Sequence, residues 1–443
     1  MTKILIPSGA LGLGYDADAL ALGISMKPDL IAVDGGSTDS GPSYLGRGVS
    51  KYARSSTKIE WAGLIRAARA AGCPLVIGTA GTCGTDSTVD WLLDITREIL
   101  TGDGVTAKIT TLKSEQDPEK IAATQITPLS GAPTVTPETI TACEHIVALA
   151  GAEQITAALE TGADIIIAGR TTDTAIIAAL PIKNGDHAGA AWHGAKIGEC
   201  GALCATNPQS GVIMIDFDAT GFTVTPLAEG AHATPHTVSA HMLYENSDPF
   251  ILYEPGGHLD VTAAGYNAVD DTSVRVTGSV WVPSDNYTVK LEGAQIAGHQ
   301  CMVMATIRDS HYVANVQAWC DDIMVKHAAK TADSMGDVAF TLDLRIIGQN
   351  ATLGPLELKS ADLNEVGVMG IVTAGDPETA QDIAKLLNPY LLHHPLTREE
   401  EVPTFAFPFS PAEAPLGPLY SFALHHVMTL ANPMDAFRLE VHA

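Results

Sequence analysis

Four short apolar runs that each break into a loop of Gly, Ser, Thr and Asp dominate the first 175 residues of this chain. They are Lys3-Ile-Leu-Ile-Pro-Ser-Gly9, Leu30-Ile-Ala-Val-Asp-Gly-Gly-Ser-Thr-Asp39, Leu75-Val-Ile-Gly-Thr-Ala-Gly-Thr-Cys-Gly-Thr-Asp86 and Ile165-Ile-Ile-Ala-Gly-Arg-Thr-Thr-Asp173. Continuous apolar runs suit parallel strands buried on both faces better than half-exposed antiparallel ones. Ligands of open α/β sheets bind outside the carboxyl ends of such strands. The loops therefore locate a site before any chemistry is assigned.

Helical stretches expected at Asp16–Met26, Glu60–Ala71, Ser87–Leu100, Pro137–Ala150 and Glu153–Thr161 alternate with these strands. Strand–helix alternation predicts a doubly wound, mostly parallel α/β sheet over residues 1–225. From 226 to 345 the pattern turns β-rich, with strands expected around Val274–Trp281, Tyr287–Leu291, Cys301–Ile307 and Val338–Ile346. Residues 346–443 return to a small α/β region, with a strand at Gly367–Thr373, a helix at Pro377–Leu387 and Pro-rich loops over Pro403–Pro418.

A net charge of −26, from 51 acidic and 25 basic residues, argues against nucleic acid and anionic membranes as partners. The seven cysteines are odd in number and scattered, which suits reduced thiols and a cytoplasmic protein. No run of about 18 apolar residues predicts a membrane span. A small anionic substrate and a homo-oligomeric state are expected.

Asp34, Asp39, Asp86 and Asp173 all fall in the strand-end loops. In a crevice such carboxylates can serve as general bases or hold a divalent cation. The plainer role expected of any one of them is capping the next helix, as Asp86 would before Ser87–Leu100. Arg170, directly after its strand, could grip a substrate carboxylate through two parallel bonds, or pair internally with Asp173 or Asp34. Ser8, Gly36, Ser37, Thr79, Gly81, Thr82 and Thr171 would supply hydroxyls and close backbone approach around a substrate. Arg47, Lys51 and Arg54 form a compact basic stretch where an anion could dock.

Gly9-Ala-Leu-Gly-Leu-Gly14, with Asp34 about twenty residues on, partly resembles a dinucleotide fingerprint, although its glycine spacing is irregular. Cys200 and Cys204 lie near His193 and Glu199, but their spacing is not that of a zinc knuckle.

Several stretches together resemble the acyclic terpene utilisation (AtuA-like) family. They are Gly162–Asp173, Trp192–Gly201, His241–Pro249, Leu391–Pro395, Phe405–Pro411 and Tyr420–Phe437, spread along nearly the whole chain. The resemblance implies an N-terminal α/β body followed by a smaller α/β domain. It also implies, for some relatives, a small ferredoxin-fold partner that is appended or separately encoded. The family's name points to degradation of branched acyclic acids through CoA thioesters.

These readings converge on a lyase of the hydratase or dehydratase type, acting on a small hydroxy- or unsaturated carboxylic acid or its CoA thioester. One of the four Asp residues would take a proton next to the carbonyl, and N–H groups of the Thr79–Thr85 loop would stabilise the resulting charge. The alternatives are an accessory or binding subunit of a carboxylic-acid catabolic complex and an NAD(P)-dependent oxidoreductase.

Overall fold

A computed structural model describes residues 1–129, 131–208, 211–359 and 362–442. Five strands run parallel in its central sheet: β1 (Thr2–Ile6), β2 (Leu30–Asp34), β3 (Leu75–Gly78), β4 (Ile109–Lys113) and β5 (Ile165–Ala168). Their spatial order is β1-β2-β3-β5-β4, so β5 inserts between two strands made earlier in the chain.

Successive residues of each strand point to opposite faces, and both faces are apolar. Leu5, Ile31, Val33, Ile77 and Ile167 pack against helices Ala17–Ser25, Arg54–Ala71 and Asp86–Asp103. Ile4, Ile6, Ala32, Val76 and Ile166 pack against helices Ala152–Glu160, Ala175–Lys183 and Ala188–Gly198. Helices therefore cover the sheet on both sides, and the expected α/β class is observed.

The sheet is mixed. Antiparallel strands Ile213–Phe217, Gly221–Pro226, Val274–Thr277 and Gly265–Ala268 extend it beyond β1, and Arg438–His442 closes it beside β4. The expected helix Pro137–Ala150 is instead a single short helix, Pro137–Thr141, followed by a buried strand, His145–Ala148. The expected strand Val274–Trp281 splits into Val274–Thr277 and Val280–Pro283, which join different sheets.

The chain forms two compact units: residues 1–295 with the C-terminal segment from Phe422, and Ile296–Ser421. The sequence segments bounded at 225 and 345 divide the chain differently, since residues 226–295 pack with the first unit. In the second unit the order is strand, helix, strand, strand, helix, strand. Helices Val316–Met335 and Pro377–His393 bury Trp319, Ile323, Ile383 and Leu387 against Val303, Val368 and Val372. The strands lie in the order Phe340–Ile347, Val366–Ala374, Tyr287–Ile307, Glu413–Leu430, a ferredoxin-like split βαβ arrangement. Helix Val316–Met335 falls where a β-rich region was expected. Among the described residues no helix is long and apolar enough to cross a membrane.

The loops after β3 and β5 touch through Gly84. A Cβ there would stand 2.2 Å from the Arg170 backbone nitrogen, and its φ of +65° lies in the left-handed region. Gly84→Ala is therefore expected to lower stability by more than about 1 kcal/mol. The check is a fall in thermal unfolding midpoint larger than that of Gly104→Ala, which shares the backbone strain of the same φ but meets nothing within 4 Å.

Candidate functional site

A cleft of about 340 Å³ opens over the carboxyl ends of the parallel strands. Ser8 and Gly9 follow β1, Asp34, Gly36 and Ser37 follow or end β2, Thr82 follows β3, and Asp173 follows β5. Further lining comes from Glu199 and Cys200, just after helix Ala188–Gly198, and from Tyr244 and Glu245. Lys51 is the one cationic side chain among the described residues that line it.

Beneath the cleft lies Arg170, only 5% exposed. Its Nε donates to Glu292 Oε2 at 3.0 Å and one terminal nitrogen to Glu292 Oε1 at 3.4 Å. The other terminal nitrogen donates to the Thr171 carbonyl at 3.0 Å and to Thr79 Oγ1 at 3.3 Å, and lies 3.6 Å from Asp173. Thr38 Oγ1 completes the ring of acceptors at 3.3 Å. Burial works against the guanidinium charge, but Glu292 and Asp173 outweigh it and hold the proton more firmly than usual. Arg170 thus has no fork left for a substrate carboxylate. Its principal partner is neither Asp173 nor Asp34 but Glu292, a carboxylate held far below its usual range because Arg170 and Lys290 outweigh its burial. Thr79 and Thr171 serve this buried network and do not line the cleft.

Asp34 and Asp173 are the reactive-looking carboxylates. Asp34 Oδ2 accepts the Gly36 N–H at 3.0 Å, while its buried Oδ1 has no partner. Burial pushes its carboxyl well above the usual range, reinforced by the negative charge of Asp173 and opposed by Arg170. Asp173 is likewise raised by burial, with Arg170 opposing and Asp39 and Glu245 reinforcing.

Two charged residues that the sequence reading did not assign to the site complete it. Lys196 Nζ donates to Glu199 Oε1 at 2.5 Å and to the Tyr244 carbonyl at 2.7 Å, and both charged side chains are over nine-tenths buried. Burial lifts Glu199 to about 8 against the pull of Lys196, with Asp173 adding to the rise. Lys and Glu three residues apart in the otherwise apolar run Ala188–Glu199 were the available signal, because charges in an all-apolar helix must pair.

The remaining expected residues lie elsewhere. Asp39 is exposed and accepts the Ser37 hydroxyl at 2.6 Å. Asp86 begins its helix, pairs with Arg438 and lies outside the cleft. Arg47 is exposed and does not line the cleft, and Arg54 is bound to Glu98 at 2.8 Å. Gly81 turns its loop with φ +66°, packed on Thr88. In that loop the N–H groups of Thr79, Ala80, Thr82 and Gly84 already bond backbone carbonyls, so they are not donors for a developing negative charge. Thr79 (φ +46°) and Thr82 (φ +79°) are β-branched residues in left-handed conformations, a strain that clusters at functional sites.

The glycine turn after β1 is also occupied internally: Gly12 and Gly14 donate to Glu60 Oε2 at 2.8 and 3.2 Å, where a phosphate would sit. Among the described residues no group of three or more His, Cys, Asp or Glu side chains is arranged to hold a metal ion. His193 is a core residue bonded to Ser279 and Tyr266, and burial alone drives it down to about 3.

Two outcomes follow from this electrostatics. Arg170→Ala leaves Glu292 buried without its main partner and should destabilise the protein by about 3–5 kcal/mol, read by chemical denaturation. Glu254 accepts from Thr174 at 2.5 Å, its Oε2 is buried without a partner, and burial lifts it to about 7 from 4.5. The folded protein binds this proton more tightly than the unfolded chain. The contribution is complete below pH 4.5 and is lost as pH rises through about 7. Glu254→Gln should therefore flatten the fall in stability across that window by on the order of 1–3 kcal/mol, measured as unfolding free energy against pH.

Neither a curated protein nor a solved structure matches this chain. The family model described as acyclic terpene utilisation family protein AtuA matches residues 75–406, which include Thr82, Asp173, Lys196, Glu199 and Glu292. With three quarters of its length matched, the chain belongs to the AtuA family.

Proposed function

We propose that this protein is an acid–base enzyme of the hydro-lyase type, acting on a small hydroxy- or unsaturated carboxylic acid or its CoA thioester. The observation that carries this reading is the pair Asp34 and Asp173, two carboxyls at the ends of β2 and β5 that both line the cleft, each raised by burial and sharing the field of Arg170. A carboxyl lifted above its usual range is, once ionised, a stronger base than an ordinary carboxylate, as removal of a proton beside a carbonyl requires. Asp34 lines the cleft and its Oδ1 has no hydrogen-bond partner, which makes it the acceptor best prepared for that proton.

The carboxylate-holding role expected of Arg170 passes to Lys51. Its Nζ reaches Ser40 Oγ at 3.1 Å and faces a cleft otherwise rich in acids. A cation and carboxyls lining one cleft can hold a substrate's anionic group and act on its reacting carbon. Membership of the AtuA family favours branched acyclic acids among such substrates. The nicotinamide alternative is less favoured, because the donors of the first glycine turn are committed to Glu60.

The test uses purified protein with a panel of short straight and branched 3-hydroxy and 2,3-unsaturated acids, as free acids and CoA thioesters, in ¹⁸O-labelled water. Label entering the hydroxy product supports the reading. Thermal stabilisation by panel members with no turnover points instead to a binding or accessory subunit. Asp34→Asn and Asp173→Asn should each lower kcat by about 10²–10⁴-fold with folding intact. Lys51→Ala should raise KM roughly tenfold for free acids while leaving kcat near the parent value.

A further inference from the structure

Removal of water needs two proton transfers, one from carbon and one to the departing hydroxyl, and Asp34 with Asp173 accounts only for the first. Glu199, just after helix Ala188–Gly198, is a further carboxyl lining the same cleft. It is held by a lysine that is itself buried and clamped by a second bond to the Tyr244 carbonyl. Tyr244 lines the same cleft and stacks on His241 with rings 5.2 Å apart, which fixes the carbonyl that Lys196 uses. A buried lysine–carboxyl contact of this kind costs desolvation, and replacing it by apolar residues is commonly neutral or stabilising. Its position on the cleft wall gives it a use that a purely structural pair lacks.

We propose that Glu199 is the acid that protonates the departing hydroxyl, and the base that activates water in the reverse direction, with Lys196 as its positioning residue. This rests on the hydro-lyase reading. In the forward step a carboxylate of the Asp34–Asp173 pair takes the proton from the carbon beside the carbonyl, and the carbon–carbon double bond forms. The carbon–oxygen bond breaks, and the hydroxyl leaves as water with the Glu199 proton. The Asp pair then carries one proton more and Glu199 one fewer, and exchange with solvent restores both.

The groups facing Glu199 from each neighbouring element act in one direction but for Lys196. Asp173 on the β5 loop and Glu254 on strand Ile251–Glu254 favour the protonated form, while Lys196 on its own helix favours the ionised one. Glu199, lifted to about 8, therefore carries a proton at neutral pH and can give it up.

The test compares each variant on the panel member turned over fastest and on its counterpart with chlorine in place of the hydroxyl, a leaving group that needs no proton. Glu199→Gln should lose roughly 10²–10⁴-fold in kcat on the hydroxy compound and little on the chloro compound, whereas Asp34→Asn should lose on both. The alkaline limb of the wild-type profile, near pH 8, should disappear in Glu199→Gln. Glu199→Asp should recover part of the loss, and it carries the same comparison if the Gln variant folds poorly. Equal losses of Glu199→Gln on both compounds, or wild-type rates with the alkaline limb intact, would overturn the assignment while the Asp34 result leaves the hydro-lyase reading standing. No turnover of any panel member, or full activity of Asp34→Asn, would overturn that reading and this inference with it.

Discussion

The buried ion pair between Arg170 and Glu292 is the interaction on which the upper end of the sheet depends. It joins the loop after β5 to strand Tyr287–Ile307, and Thr38, Thr79 and the Thr171 carbonyl fill out the guanidinium's partners. Two charges taken out of water are tolerated only when their hydrogen bonds are met on nearly every side. Here that condition draws the loops after β2, β3 and β5 toward one point. The left-handed backbone at Thr79 follows from it, since that residue must present its hydroxyl to Arg170 while its N–H bonds the Gly169 carbonyl.

The pair also sets the electrostatics above it. Arg170, held by Glu292, pulls both Asp34 and Asp173 downward, and their burial outweighs that pull. An opposite charge favours the ionised form of a carboxyl, so an Arg170 turned fully toward the cleft would hold both lower. Lys196 likewise does less for Glu199 than burial and neighbouring acids do against it. The cleft is thus acidic in composition yet contains protons that can move.

Much of this was legible in the sequence, and the reasons for the rest are specific. The strands β1, β2, β3 and β5 showed themselves because their apolar runs are continuous. The parallel strand β4 did not, since Thr110 and Thr111 are fully buried yet polar. His145–Ala148 was hidden by helix-compatible residues around it, and its identity comes from pairing with Leu291–Ala294, a contact distant in sequence. Of the site residues, Asp34, Asp173, Gly36, Ser37, Ser8 and Thr82 were located by their place after strands. Glu292 was not, because a single acid within a β-rich segment gives no sign of which distant cation it meets. Arg170 was singled out correctly as unusual, but position alone could not say whether its fork pointed at substrate or at protein.

The glycine turn after β1 shows the same ambiguity resolved in the opposite sense. Its N–H groups form an anion-binding arrangement, as the glycine pattern suggested, and the anion is Glu60 from helix Arg54–Ala71. A loop and a helix are thereby fixed to each other by a charge-assisted bond of the kind that elsewhere holds phosphate. Of the two sequence features that advertised ligand binding most loudly, the glycine turn and Arg170, both are used to fasten the scaffold. The groups left facing the cleft are quieter in sequence: two strand-end aspartates, one lysine and a glutamate at the end of an apolar helix. A binding group whose capacity is filled by internal partners is lost to a ligand as surely as a missing residue, so in a fold of this kind the polar groups that still line the cleft mark the site better than the motifs that resemble one.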